Sequence, residues 1–206
     1  MSYHLDVRRI PILEYRDLLK RQNLLPSRQI LWQDIDLNFD KITARGIENV
    51  EQLIKALSTP AKMIAFAREA AIAEDYLTIL RREAGALIQK PVPLSDFPDI
   101  DAERLEAIGR KGLKNSKDYW ESSPEKDDLF CLCDLVRING VGVAASMAFY
   151  AAGYASVTDV AHAVAAEMLR RVTDANHEKH FYKAVLGEKD MQFCIDNAKL
   201  LLHYFE

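Results

Sequence analysis

The residues best placed to do chemistry lie in "RINGVGVAASMAFYAAGYASVTDV", Arg137 to Val160. Gly140-Val141-Gly142 reads as a tight hairpin ahead of an apolar helix, and such a turn leaves backbone N–H groups pointing outward. With the positive end of the helix that follows, those amides make an anion site that needs no charged side chain. The candidate contacts are Asn139, Gly140, Val141, Gly142, Val143 and Ala144, with Arg137 just upstream as a cation. A second basic group, Arg110, Lys111, Lys114 and Lys117, falls within "GRKGLKNSK". Its competing role is local, since Arg110 and Lys111 also complement the negative C-terminal end of a helix.

Other arrangements fail on spacing. His177 and His180 in "HEKH" stand three apart, whereas a zinc helix needs two histidines four apart facing one ion. Cys131 and Cys133 are too close for the usual zinc or redox pairs, and two residues along a helix would point their thiols apart. Gly140-x-Gly142 lacks the preceding strand and third glycine of a dinucleotide loop. "AAGYAS" is no nucleophile elbow. The reading is therefore of a non-enzymatic chain with no metal and no cofactor.

The elements that would position the hairpin repeat along the chain. "FDKITARGIENVEQL", "LEAIGRKGLKNSKDY" and "SMAFYAAGYASVTDV" align on Gly46, Gly112 and Gly153. One residue after each glycine stands Ile47, Leu113 or Tyr154; three after, Asn49, Asn115 or Ser156; seven after, Leu53, Tyr119 or Val160. Glycine past a helix end supplies the left-handed conformation of a C-terminal cap. The Asn or Ser then caps the next helix through its side-chain oxygen. Counting back from the anchors, Asp34-Ile35-Asp36 and Asp99-Ile100-Asp101 occupy the place of Gly140-Val141-Gly142. Those two turns read as structural, their carboxylates closing the amides that the glycine-flanked turn leaves open.

Composition agrees with helix. Eight glycines and seven prolines are few, and no strand pattern appears. The formal net charge is −4, so a basic face would have to be local. Residues 1 to 30 offer six Lys/Arg against three acids, either an arm for a polyanion or a solvated helix face. "IAEDYLTILRREAGAL" also compares with "LGEKDMQFCIDNAKLL", and "TPAKMIAFAREAAIAEDYLTILRREAGALI" should break near Ala71–Ala73. The proline-rich "QKPVPLSDFP" suggests a border between residues 1–90 and 91–206. Three unpaired cysteines, no signal peptide and no membrane-length apolar run point to a cytoplasmic protein.

"I-N-G-V-G-x-x-x-S", Ile138 to Ser146, resembles the helix-hairpin-helix signature. More broadly, "LLPSR", the glycine-anchored repeats and "AIAEDYLTIL" resemble a group of bacterial helix-hairpin-helix repeat proteins classed as a domain of unknown function. The resemblance implies an all-α fold of tandem helix-hairpin-helix-like repeats, elongated or two-lobed. The helix-hairpin-helix signature at Ile138 to Ser146 is what implies sequence-independent binding of nucleic-acid phosphates by the hairpin amides, sometimes with a monovalent cation; the group of unknown function carries no activity with it. Departing from DNA-gripping hairpins, Val143, Ala144 and Ala145 replace the Lys or Thr common after the second glycine. The expectation is a non-catalytic nucleic-acid-binding module; the alternative is a protein-interaction or assembly scaffold whose hairpins are all structural.

Overall fold

A computed structural model describes residues 3–98, 100–122 and 126–204. The fold is all-helical, with no strand among the described residues. No helix there is long and apolar enough to cross a membrane. The chain divides into two compact units. One is Leu5–Ile88; the other runs from Gln89 onward and also takes in Tyr3 and His4. Nothing in the sequence signals that last allocation.

The Leu5–Ile88 unit comprises α1 (Ile12–Arg21), a 3-10 turn (Pro26–Trp32), α2 (Ile35–Thr43), α3 (Val50–Ala56), α4 (Pro60–Ala70) and α5 (Glu74–Ala86). Its centre is apolar: Tyr15, Leu19, Phe39, Ile42, Leu53, Leu77 and Leu80 are buried. The basic residues of residues 1–30 mostly meet carboxylates. Arg8 pairs with Asp6, Arg16 with Asp17 and Asp36, Lys20 with Asp36, and Arg28 with buried Glu83. That leaves little of a polyanion-binding arm.

The second unit begins with a 3-10 turn (Leu94–Asp96). It continues through α6 (Ala102–Arg110), α7 (Ser116–Ser122), α8 (Asp128–Leu135), α9 (Val143–Ala151), α10 (Val157–Ala161), α11 (Ala165–Lys179) and α12 (Glu188–His203). Leu94, Phe97, Ile108, Tyr119, Leu129, Leu132, Cys133 and Val136 form one apolar cluster. Helix α12 shows why its sequence is helical. Met191, Cys194, Ile195, Ala198 and Leu201 recur at helical spacing and all are buried, while the Asp190 carboxylate accepts from the Gly187 amide at the helix start.

The three glycine stops share one backbone chemistry. Gly46, Gly112 and Gly153 have φ of +78°, +82° and +87°. Each donates its N–H three residues back, to the carbonyls of Thr43, Gly109 and Tyr150, at 2.9 Å in every case. Asn49, Asn115 and Ser156 then accept from the amides of Gln52, Asp118 and Asp159. The side chains of those three residues return the bond, accepting from the amides of Glu48, Lys114 and Ala155 at 2.6, 2.9 and 3.0 Å. This closes a box at each helix entry. Alanine at Asn49, Asn115 or Ser156 is expected to cost about 1 kcal/mol each. The measurement is a lower urea midpoint at unchanged slope.

Similarity between the units runs further. Asp34 takes φ +46°, as Gly140 takes +88°, and the buried Ile35 follows it as Val141 follows Gly140. Helix α4 ends on left-handed Ala71 at φ +50°, and α11 ends on left-handed His180 at +56°. In α5 the buried stripe is Leu77, Leu80, Glu83, Ala84 and Leu87; at the matching places of α12 it is Met191, Cys194, Asn197, Ala198 and Leu201. Even the polar member is buried in both. These backbone and burial features occur in the same order along α2–α5 and along α9–α12.

One expectation needs correcting here. Of the Asp-flanked turns, only the second is closed by a carboxylate, Asp101 accepting from the Arg104 amide at 2.7 Å. Asp34 makes no side-chain cap because it serves as the left-handed residue of its turn, and Asp36 binds Lys20. Asp99 lies outside the described residues.

Candidate nucleic-acid interface

The hairpin is built from buried residues at its base and open amides at its tip. Helix α8 closes with Arg137 N–H bonded to Asp134 and Ile138 N–H to Leu135. Val141 is buried and donates its amide to the Ile138 carbonyl at 3.0 Å, which ties the turn shut from inside. Gly142, extended at φ −92°, then starts α9 without any side-chain cap. Among the described residues the amides of Gly142, Val143 and Ala144 find no acceptor. Gly142 and Ala144 are exposed. These three N–H groups sit at a positive helix end, two of them on exposed residues, where the first turn of a helix leaves amides without an intrahelical acceptor.

The neighbours are less available. Asn139 accepts from Gln89 Nε2 at 2.8 Å, so its side-chain oxygen is taken. Gly140 is exposed, but on its Cβ side it has the Phe193 ring of α12 close by. Arg137 is corrected outright: it is 7% exposed and cannot reach a phosphate in this arrangement. Its Nη1 pairs with Asp134, its Nε donates to the Tyr3 carbonyl at 2.9 Å, and its guanidinium lies 4.1 Å over the Trp120 ring. Burial pulls its pKa below the usual arginine value, and the Asp134 carboxylate opposes that pull. Asp134 Oδ1 also accepts from Trp120 Nε1, and its Oδ2 accepts from the Val157 amide, both at 2.8 Å.

That last bond completes the comparison of the three stops. The amides of Val50 and Ser116 donate to backbone carbonyls of short extended arms, Ile10 and Val92, beside the isolated bridges Pro11–Asn49 and Pro93–Asn115. At the third stop the matching amide, Val157, is held by the Asp134 carboxylate instead.

The basic cluster stays at the α6–α7 stop. Arg110 pairs with Glu106 at 2.7 Å and Lys117 with Glu121 at 3.9 Å, both one helical turn apart and partly screened by solvent. Lys111 and Lys114 are exposed. No hydrogen bond or ion pair among the described residues joins this cluster to the hairpin.

Other basic residues share a cleft with the open amides. Val143 and Ala144 line a cleft of about 1050 Å³ whose rim includes Arg104, Lys179 and His180 and whose walls include Phe97, Ile100, Met147 and Phe181. Arg104 is held by Asp127 at 2.9 Å. In the same cleft Asp128 accepts from the Tyr150 hydroxyl, a bond that helps raise the phenol to about 12. Lys179 and His180 belong to the "HEKH" end of α11, where the left-handed turn at His180 sets them on the cleft. The basic character of that motif and its place just before a helix stop are the signal that the sequence carries for it. Among the described residues no group of His, Cys, Asp or Glu could hold a metal. Burial raises all three thiols, so none has the lowered pKa of a nucleophile.

A DUF4332 domain, a domain of unknown function, is found over residues 106–201. The DUF4332 domain takes in the end of α6, the second and third glycine stops, the hairpin and nearly all of α12. No curated protein and no solved structure matches the chain.

Proposed function

We propose that this is a cytoplasmic, non-catalytic binding module of tandem helix-hairpin-helix-like repeats in two lobes, which holds the phosphate backbone of a nucleic acid at Gly142, Val143 and Ala144. The supporting observation is the run of three amides without an acceptor among the described residues at the start of α9, two of them on exposed residues. Lys179 on the same cleft supplies positive charge, and Lys111 and Lys114 add an exposed basic patch on the α6–α7 stop. Contacts of this type fix position on a backbone and carry no base identity. Protein association is the second reading, favoured by the apolar cleft walls at Phe97, Ile100, Met147 and Phe181 and by the net negative charge.

Gly142→Glu separates the two. A Cβ there meets nothing within 4 Å and the backbone is ordinary, so the variant should fold with unchanged thermal stability. Its carboxylate would sit against the amides and repel phosphate, lowering duplex affinity by about tenfold. Fluorescence anisotropy of a labelled duplex across a salt series should show wild-type binding that weakens with salt. Absence of wild-type binding at low salt would transfer the assignment to the scaffold reading.

A further inference from the structure

Residues Tyr3 and His4 pack into the unit that carries the DUF4332 domain, 113 positions from the first side chain they meet. Tyr3 is the anchor. Its hydroxyl lies 2.7 Å from Ser116 Oγ, which also accepts from the Val92 amide, and its carbonyl takes the Arg137 Nε–H. Its ring stands edge-on to Trp120 at 5.8 Å and to His4 at 5.1 Å.

His4 is the weak point of this strap. Its Nδ1 is buried and has no hydrogen-bond partner. A neutral imidazole tolerates that, because Nδ1 is then an acceptor left idle; an imidazolium would have to bury a second N–H donor with nowhere to point it. The charged groups around the ring are Lys117 and Glu121 of α7 and Arg137 after α8, two cations against one anion. A backbone hydrogen bond with Gln89 acts in favour of the proton.

We infer that Tyr3–His4 is an acid-released strap, docked while His4 is neutral and lifted from α7 and α8 when its Nδ1 takes up a proton. The linkage runs in one direction. Desolvation, then Lys117, lower the docked-state pKa below 6.5, so docking is fully favoured above pH 6.5. That preference is lost as the pH falls from there through the docked value. Lifting removes Tyr3 from the Trp120 edge and from the Arg137 and Ser116 bonds.

Trp120 reports the event, because only one other tryptophan is present and Trp32→Phe removes it. In that background, acidifying the full chain from about pH 7.5 to about pH 5, where imidazoles titrate, should shift Trp120 emission to longer wavelength and raise its quenching by acrylamide. Far-UV circular dichroism should stay constant. His4→Phe keeps the edge contact and His4→Asn keeps a polar group; both should abolish the shift. No shift in the parent protein overturns the inference. So does an equal shift in both His4 variants, or a simultaneous loss of helical signal.

Discussion

Asp134→Ala should be among the most damaging single substitutions in the chain, lowering stability by about 3–5 kcal/mol. One carboxylate there answers three donors: the Arg137 guanidinium, the Trp120 indole and the Val157 amide. Removing it takes a counter-charge from a guanidinium that is 4% exposed, and an acceptor from the indole and from the amide. The losses at the buried Arg137 and Val157 are the costly ones, because a buried donor that loses its acceptor keeps its desolvation penalty. Against a typical total of about 5–15 kcal/mol, this should remove between about a fifth and all of the stability, and lower the unfolding midpoint of the second unit accordingly. Asp134→Asn should fall between, since one amide oxygen can serve the indole or the backbone but brings no charge to Arg137. Adding Arg137→Met to Asp134→Ala should recover much of the loss, because the unpaired charge is then gone and the stem volume is kept. A urea double-mutant cycle reads the coupling directly. Additive effects of the two substitutions would contradict the shared-carboxylate account.

What could be read from residues and what could not follows the range of the interactions concerned. Gly46, Gly112 and Gly153 were legible because a left-handed stop depends on the residue itself, and Asn49, Asn115 and Ser156 because a cap is a bond to an amide three positions away. The return bonds from Gln52, Asp118 and Asp159 carried the same kind of local signal, a polar side chain three after each cap, and belonged to the pattern unrecognised. Arg137 shows the opposite case. Its place beside the hairpin made it look like a phosphate contact, but its burial depends on Tyr3, 134 positions away, which no spacing argument reaches. Asp134, three residues earlier on α8, was the one local hint that the charge was already answered. Asp34 was misread for a related reason: Asp is both a capping residue and one of the few that tolerate positive φ, and only the fold chooses between those uses.

Gly140 gives the second large effect, and its value lies in a comparison within one unit. Gly112, Gly140 and Gly153 all hold positive φ, and alanine in that region costs about 1–2 kcal/mol. At Gly112 the new methyl meets nothing within 4 Å, so the loss should be that conformational cost and no more. At Gly153 it would come within 2.5 Å of Arg171 Nη2, the far end of a flexible side chain. Displacing that group gives up its placement 4.8 Å over the Tyr154 ring, adding about 0.5–1 kcal/mol. At Gly140 the methyl would lie 2.8 Å from Phe193 Cε1, part of a stiff ring on α12, so α12 or the hairpin must shift. Overpacking of this kind adds about 1–3 kcal/mol. Gly142, with ordinary φ and open space, should lose only about 0.5 kcal/mol to alanine, the difference between glycine and alanine at a helix N-cap. The expected order of urea midpoints is Gly142→Ala highest, then Gly112→Ala, Gly153→Ala and Gly140→Ala lowest. Gly140→Ala with Phe193→Leu should regain part of the deficit, because a smaller side chain yields the space while the cost of φ remains. Equal losses at Gly140 and Gly112 would mean that the ring of Phe193 does not bear on the hairpin, and the α12 surface would then have no part in holding the three amides where they are.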